Sequence, residues 1–304
     1  KPKVGMWSGL TAVTAVLTAG AIVGTTVAFH YTTTVNNYLD ADTYKIIKGD
    51  SDEDTEYFKS DFTSDEERES YEAELCAQVE AEGAALLKND NNALPLASGA
   101  KVSLFGHGSV DLMYGGTGSG SVDTSKAPNF KQALEDQGIQ VNSTLWDLYS
   151  SDDMMKNYSR ITPAAISDTL EANTQYAVNE APWSKLSSAE SSFADYGDAA
   201  IVVFSRSGGE GADLPSGENG TNDSWIKGQE GDGNYLALSA EEKELLQNLK
   251  TLKDNGTFKK IIVLINSSNA IEMDFLNPEI CGEDYGIDSA MWIGDVGQTG
   301  INGV

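Results

Sequence analysis

Basic residues are scarce: Lys and Arg together number 20 against 47 Asp and Glu, a formal net charge of −27 over 304 residues. A surface of that sign repels phosphate backbones and anionic headgroups, which sets nucleic-acid binding aside. Cysteine is scarcer still. Cys76 and Cys281 are too few for a disulfide framework and have no CxxC spacing for zinc, and a bond between the two is open but unforced. Neither GxxxxGK[ST] nor GxGxxG occurs, so the common phosphate and dinucleotide cradles are missing, and no internal repeat is visible. No metal and no cofactor is expected. What is present, 40% hydrophobic and 9% aromatic residues, suffices for one large or two modest domains with a real core.

Charge is also missing locally. From Val4 to Phe29 the chain holds only apolar, small and hydroxyl residues, which as a helix would run roughly 39 Å at ~1.5 Å per residue. This length reads as an uncleaved membrane anchor over residues 1–31, spanning through residues 4–29. The alternatives are a cleaved signal peptide, with Ala19-Gly20-Ala21 as its small-residue site, and a buried soluble helix. Lys1 and Lys3 favour an inside amino terminus, which puts everything after Tyr31 outside the cell as the extracellular part of a single-pass protein. Residues 40–74 then carry 14 acids against 4 bases, and residues 32–63 read as an acidic, solvated stalk.

From residue 64 to 304 the pattern is that of a folded domain. Ser64 with Glu67 suggests a capping box, and Tyr71, Leu75, Val79, Gly83 and Leu87 recur every four residues, predicting a docked helix of about 20 residues that ends at Asn89. Lys101 to Phe105 (KVSLF) reads as a strand, Phe130 to Gln137 as a helix, Gly138 to Val141 as an edge strand and Thr162 to Asn179 as a helix. The runs AAIVVF (Ala199–Phe204), KIIVLIN (Lys260–Asn266) and DSAMWI (Asp288–Ile293) are continuously apolar, as in parallel strands covered on both faces. A helix over Ser239 to Leu252, opened by a capping box of Ser239 with Glu242, separates the first two. The fold expected is α/β, a doubly wound, mostly parallel sheet sandwiched by helices, with ligands gathering at the carboxyl ends of the strands.

Two loops at such ends draw attention. In Tyr114 to Val122 (YGGTGSGSV) glycines alternate with hydroxyls, so backbone N–H groups, Ser119 and Ser121 can approach a ligand; a plain surface loop has the same composition. In Ser205 to Leu214 (SRSGGEGADL) Glu210 stands between two glycines, with Arg206 before it and Asp213 after, a placement that suits a mobile general acid/base as well as a solvated glutamate. His107, in the turn after KVSLF, reads as a packed loop histidine. Glu218 to Asp232 is rich in oxygen ligands but lacks EF-hand spacing, and reads as an acidic solvent loop.

Five blocks in one order, AEGAALLKNDNNALPL (Ala81–Leu96), VSLFGHG with YGGTGSGSV, SRSGGEGADL, LSAEEKELLQNL and KKIIVLINSSNAIEM (Lys259–Met273), resemble the carboxy-terminal α/β sandwich domain of glycoside hydrolase family 3. The resemblance implies an exo-acting, retaining β-glycosidase of the β-glucosidase kind, acting on β-linked oligosaccharides in a pocket between this domain and an (α/β)8 barrel. It implies that Glu210, in the GEG block, is the acid/base, and that Ser119, with Gly118 and Asp213, contacts the terminal sugar. The residue after Asp213 is often Arg in the family and is Leu214 here. The nucleophile belongs to the barrel, which the resemblance to reversed-order members places after Val304, so that the domain over 64–304 is expected to be incomplete at its carboxyl end and inactive alone. The opposing reading is a non-catalytic, surface-anchored carbohydrate-binding or scaffold module.

Overall fold

A computed structural model describes residues 2–39, 60–162, 176–210, 214 and 235–304. The chain divides into two compact units, Lys1–Asp61 and Phe62–Val304.

In the first unit, helix α1 (Pro2–His30) is followed by the short helix α2 (Thr32–Tyr38). The apolar side chains of α1 are exposed all round, including Trp7, Leu10, Val16, Ile22 and Phe29. Its hydroxyls bond inward to the preceding turn, Ser8 to Val4 O, Thr11 to Trp7 O, Thr14 to Leu10 O and Thr26 to Ile22 O. Each of these four hydroxyl protons thereby has a backbone acceptor within the helix. By length and composition Val4–His30 is a candidate membrane span, a test a signal sequence also passes. The first residues of the expected stalk are helical, with backbone bonds from Val35 N to Tyr31 O and from Leu39 N to Val35 O. Its residues 40–59 lie outside those described.

The second unit opens with helix α3 (Asp65–Gly83). Ser64 caps it, accepting from Glu67 N at 3.2 Å, but the Glu67 carboxylate bonds Thr63 N and Thr63 Oγ1 at 2.8 and 2.7 Å, one residue further out than a capping box. Two expectations fail here. The helix stops at Gly83, and Ala85–Asn89 forms strand β1, with Leu86 and Leu87 exposed. The four-residue stripe Tyr71, Leu75 and Val79 is also exposed. The helix docks through small residues instead: Thr299 Oγ1 donates to Ala73 O at 3.3 Å, and a Cβ on Gly303 would stand 2.0 Å from Ala77 O.

The remaining strands are β2 (Lys101–Phe105), β3 (Gln140–Val141), β4 (Ala199–Ser205), β5 (Ile261–Asn266) and β6 (Ser289–Trp292). They form one sheet in the order β1-β6-β5-β4-β2-β3, parallel throughout except that β1 runs antiparallel to β6. Every residue of β4 and β5 is buried. Alternation along the strands sends Ala200, Val202, Phe204, Ile261, Val263 and Ile265 to one face and Ile201, Val203, Ile262 and Leu264 to the other. Helices α5 (Ser143–Tyr149), α6 (Asp152–Asn157) and α7 (Ala240–Asp254) pack on the first face through Leu145, Tyr149, Met154, Leu245 and Leu249. Helix α4 (Phe130–Asp136) packs on the second through Phe130 and Ala133. The sheet is therefore mixed with flanking helices, and β3 is its edge as expected.

Most of the helix expected over Thr162 to Asn179 lies outside the described residues; at its far end Ala177 pairs with Ile161 in an isolated antiparallel bridge, so those residues are not helical. From β2 the chain runs outward to β3, then returns to β4 on the other side of β2 and proceeds to β5 and β6. The switch point of this sheet therefore lies between β2 and β4, the place where ligands gather in open α/β sheets.

Candidate functional site

The two loops singled out in the sequence meet at this switch point. Thr117, in the loop after β2, bridges Gly209, in the loop after β4, and Thr117 N donates to Gly208 O at 3.1 Å. Thr117 Oγ1 donates to Glu210 O at 2.8 Å, fixing the backbone of the glutamate itself. Ser119 then reaches the side chain: its N–H and its hydroxyl both donate to Glu210 Oε2, at 2.9 and 2.5 Å. Gly118 makes this approach feasible. It has φ +69°, and a Cβ there would stand 2.7 Å from Glu210 Cβ.

Glu210 is exposed, and the Ser119 hydroxyl and then the Ser119 N–H hold its carboxyl below the usual carboxylate range. Hydrogen bonds given to the charged form favour it. Asp213, and the acidic stretch Glu218 to Asp232, lie outside the described residues; Leu214 packs against Tyr176, Val178 and Tyr235.

Beneath the loops lies a charged network that sequence reasoning did not assemble. His107 is 3% exposed, and its Nε2 stands 3.0 Å from Asp111 Oδ2, which makes it a packed histidine. Arg160 pairs with Asp111 at 3.0 Å and donates to Ser205 Oγ at 3.2 Å, to Leu112 O at 3.2 Å and to Asp111 O. Burial pushes the Asp111 carboxyl up, but the His107 bond and the Arg160 charge outweigh it, leaving the carboxyl below its ordinary value. Glu180 is buried, accepts from His107 N at 2.7 Å and from Ala181 N at 3.0 Å, and is pushed up to about 7, chiefly by burial. Asn266, the last residue of β5, joins the segments that follow β2 and β6: its Oδ1 accepts from Met113 N at 2.6 Å and its Nδ2 donates to Met113 O at 3.0 Å and Gly294 O at 2.6 Å. The signal for such residues was faint: polar side chains directly after apolar strands.

Among the described residues no group of three or more His, Cys, Asp or Glu side chains is placed to hold a metal ion. Cys76 and Cys281 are free thiols. An apolar cavity of about 670 Å³, lined by residues such as Pro95, Phe130, Ile201, Ile262 and Ile301, opens on the second face of the sheet and includes no residue of the Glu210 or Ser119 loops.

Comparison with known proteins gives one direction. Residues 84–304 match the family described as glycosyl hydrolase family 3 C-terminal domain. The chain is 29% identical over 233 residues to a β-glucosidase of Ruminococcus albus, covering 76% of this chain and 21% of that protein. It is 31% identical over 216 residues to β-glucosidase A of Butyrivibrio fibrisolvens, covering 66% of this chain and 23% of that protein. Among solved structures, a β-glucosidase from Paenibacillus barengoltzii is similar with a TM-score of 0.55 at 25% identity, over 76% of this chain and 22% of that one. β-Glucosidase 3B from Thermotoga neapolitana, solved with α-D-glucose, shares the fold with a TM-score of 0.56 at 24% identity, over 79% of this chain and 29% of that one. The chain thus spans about a fifth of the length of the two sequence relatives.

Proposed function

The chain belongs to the glycosyl hydrolase family 3 C-terminal domain family, and from that premise we propose that it carries the acid/base half of an exo-acting, retaining β-glycosidase site. Glu210 is the acid/base. The observation that carries this reading is its position: a carboxylate at the switch point, on the loop after β4, facing solvent and oriented by the loop after β2. The names of the relatives make a terminal β-glucoside the substrate class. Ser119, with Gly118 and Asp213, contributes contacts to the terminal sugar.

In a retaining mechanism one carboxylate attacks the anomeric carbon while the second, about 5 to 5.5 Å away, first protonates the departing oxygen and then takes a proton from water. Glu210 performs the second role. The nucleophile comes from a barrel domain of the full-length protein, and closing the pocket over Glu210 removes water and raises its pKa toward the range an acid needs.

The domains are read as an anchor over residues 1–31, a stalk over 32–63 and the sandwich over 64–304. An uncleaved α1 holds the sandwich on the outer face of the cell membrane; its all-round apolar surface and inward-bonded hydroxyls support this. The second reading is a carbohydrate-binding or scaffold module without catalysis. One observation favours it: the carboxylate meets only Ser119 among the described residues.

Hydrolysis of aryl β-glucosides of graded leaving-group ability by the full-length protein separates the two. On the first reading Glu210→Gln lowers kcat/KM for phenyl β-glucoside by roughly 10²- to 10⁴-fold and for 2,4-dinitrophenyl β-glucoside far less, because the latter aglycone departs without a proton in the glycosylation step. A full-length protein inert on every member of the series supports the module.

A further inference from the structure

The chain leaves β4 at Ser205, passes through Glu210 and comes back at Tyr235 before α7 begins. Where it leaves and where it returns are joined by one buried cluster. Arg206 is 0% exposed and gives all five of its N–H groups: Nε to Tyr235 O at 2.7 Å, Nη1 to Ser205 O at 3.0 Å and Glu242 Oε1 at 2.8 Å, Nη2 to Ala237 O at 2.7 Å and Glu242 Oε2 at 2.7 Å. Glu242, 1% exposed, is itself held by accepting from Ser239 N at 2.8 Å. Tyr235 returns the favour to the outgoing strand. Its hydroxyl accepts from Ser207 N at 2.9 Å and donates to Ser207 O at 3.1 Å, and its ring lies 5.7 Å from the Arg206 guanidinium carbon.

Tyr235 also packs against Tyr176, ring centroids 5.7 Å apart, and the Tyr176 hydroxyl stands 3.4 Å from the Thr117 Oγ1 that bonds Glu210 O. Two routes therefore run from this cluster to the glutamate backbone, one along Ser207 and one through Tyr176 and Thr117. A bidentate, fully desolvated Arg–Glu pair is a costly way to stabilise a core, and geometric specificity is what it supplies in return.

We propose that Arg206 and Tyr235 are positioning residues for Glu210: they close the two ends of its loop and fix Ser207, three residues before the glutamate, on both its N–H and its C=O. Neither touches substrate; they set where the carboxyl stands. The inference rests on the reading of Glu210 as the acid/base and adds the residues that aim it.

The test uses the full-length protein and two substrates, phenyl and 2,4-dinitrophenyl β-glucoside. Tyr235→Phe keeps the ring and loses only the hydroxyl. It is expected to lower kcat/KM for the phenyl substrate roughly tenfold to a hundredfold while leaving kcat/KM for the dinitrophenyl substrate near wild type, because kcat/KM reports the glycosylation step, where a misaimed acid fails only if a proton is required. An equal loss of kcat/KM for both substrates, or a loss for neither, overturns the inference, since a merely structural role does not discriminate leaving groups. Arg206→Lys, which keeps the charge and loses the fork, is expected to show the same discrimination and serves if Tyr235→Phe does not fold. Glu210→Gln is run beside them. If it discriminates and the other two do not, the inference fails while the acid/base assignment stands; if it does not discriminate, the assignment itself fails and takes the inference with it.

Discussion

Ser119 and Glu210, 91 residues apart in sequence, share a single carboxylate oxygen: the serine N–H at 2.9 Å and its hydroxyl at 2.5 Å both donate to Glu210 Oε2. Two donors on one oxygen favour the charged form, and the Glu210 carboxyl is held low accordingly. In Ser119→Ala the hydroxyl, the larger of the two causes, is gone. The Glu210 carboxyl is then expected to titrate at higher pH, closer to an ordinary glutamate. Carbon-13 NMR of labelled glutamate reads this directly; a titration midpoint that does not move, or moves down, contradicts it.

The Arg206–Glu242 pair predicts a large stability loss from a small change. Removing one partner of a buried pair leaves the other charged and unpaired, at about 3–5 kcal/mol. Glu242→Ala also loses the reciprocal half of the α7 cap, since Glu242 Oε2 accepts from Ser239 N. Urea unfolding of the variant is expected to show a midpoint far below wild type. Glu244→Ala, two residues on at the surface, serves as the comparison and should lose much less.

Glu180 sets a pH dependence of unusual sign. Its folded carboxyl is raised from 4.5 to about 7, chiefly by burial, with the Glu242 charge adding to the rise and His107 opposing it. Between those values the folded state binds more protons than the unfolded one, so its contribution to stability falls as pH climbs from about 4.5 to about 7, by on the order of 3 kcal/mol, and is level above. Glu80, also pushed up to about 7 by burial, slopes the same way. The check is therefore a difference: urea midpoints across this window should fall less steeply in Glu180→Gln than in wild type. Equal slopes contradict the account.

Residues 1–304 expressed alone are expected to hydrolyse no aryl β-glucoside, because retention needs two carboxylates and the reading above takes the nucleophile from a barrel domain of the full-length protein. Measurable turnover that Glu210→Gln abolishes would show a nucleophile within these residues.

The core strands were legible because strands covered on both faces read as unbroken apolar runs, and AAIVVF and KIIVLIN did so. Strand β1 was not. Leu87 continues a four-residue period from Tyr71, so the helix pattern ran past Gly83, whereas the chain turns at Ala84 into an antiparallel edge whose leucines stay exposed. The period itself misled, since α3 docks by Ala73, Ala77 and a close-packed Gly303 and leaves its large apolar residues outside. At the site, composition flagged Glu210 and Ser119 separately as residues of two glycine-rich loops. No periodicity links positions so far apart, and only the strand order brings the loops together. Glu242 was half legible: the spacing to Ser239 gave the capping box, while its ion pair with Arg206, 36 residues earlier, needed the fold.

The central claim is that Glu210 acts as the acid/base of a retaining β-glycosidase, and chemical rescue tests it most directly. In the full-length protein, Glu210→Ala with 2,4-dinitrophenyl β-glucoside should form the glycosyl-enzyme yet hydrolyse it slowly, since no base activates water. Added azide, which needs no base, is expected to restore turnover and to yield the β-glycosyl azide. Turnover unchanged by azide, or an α-configured azide product, would contradict the assignment.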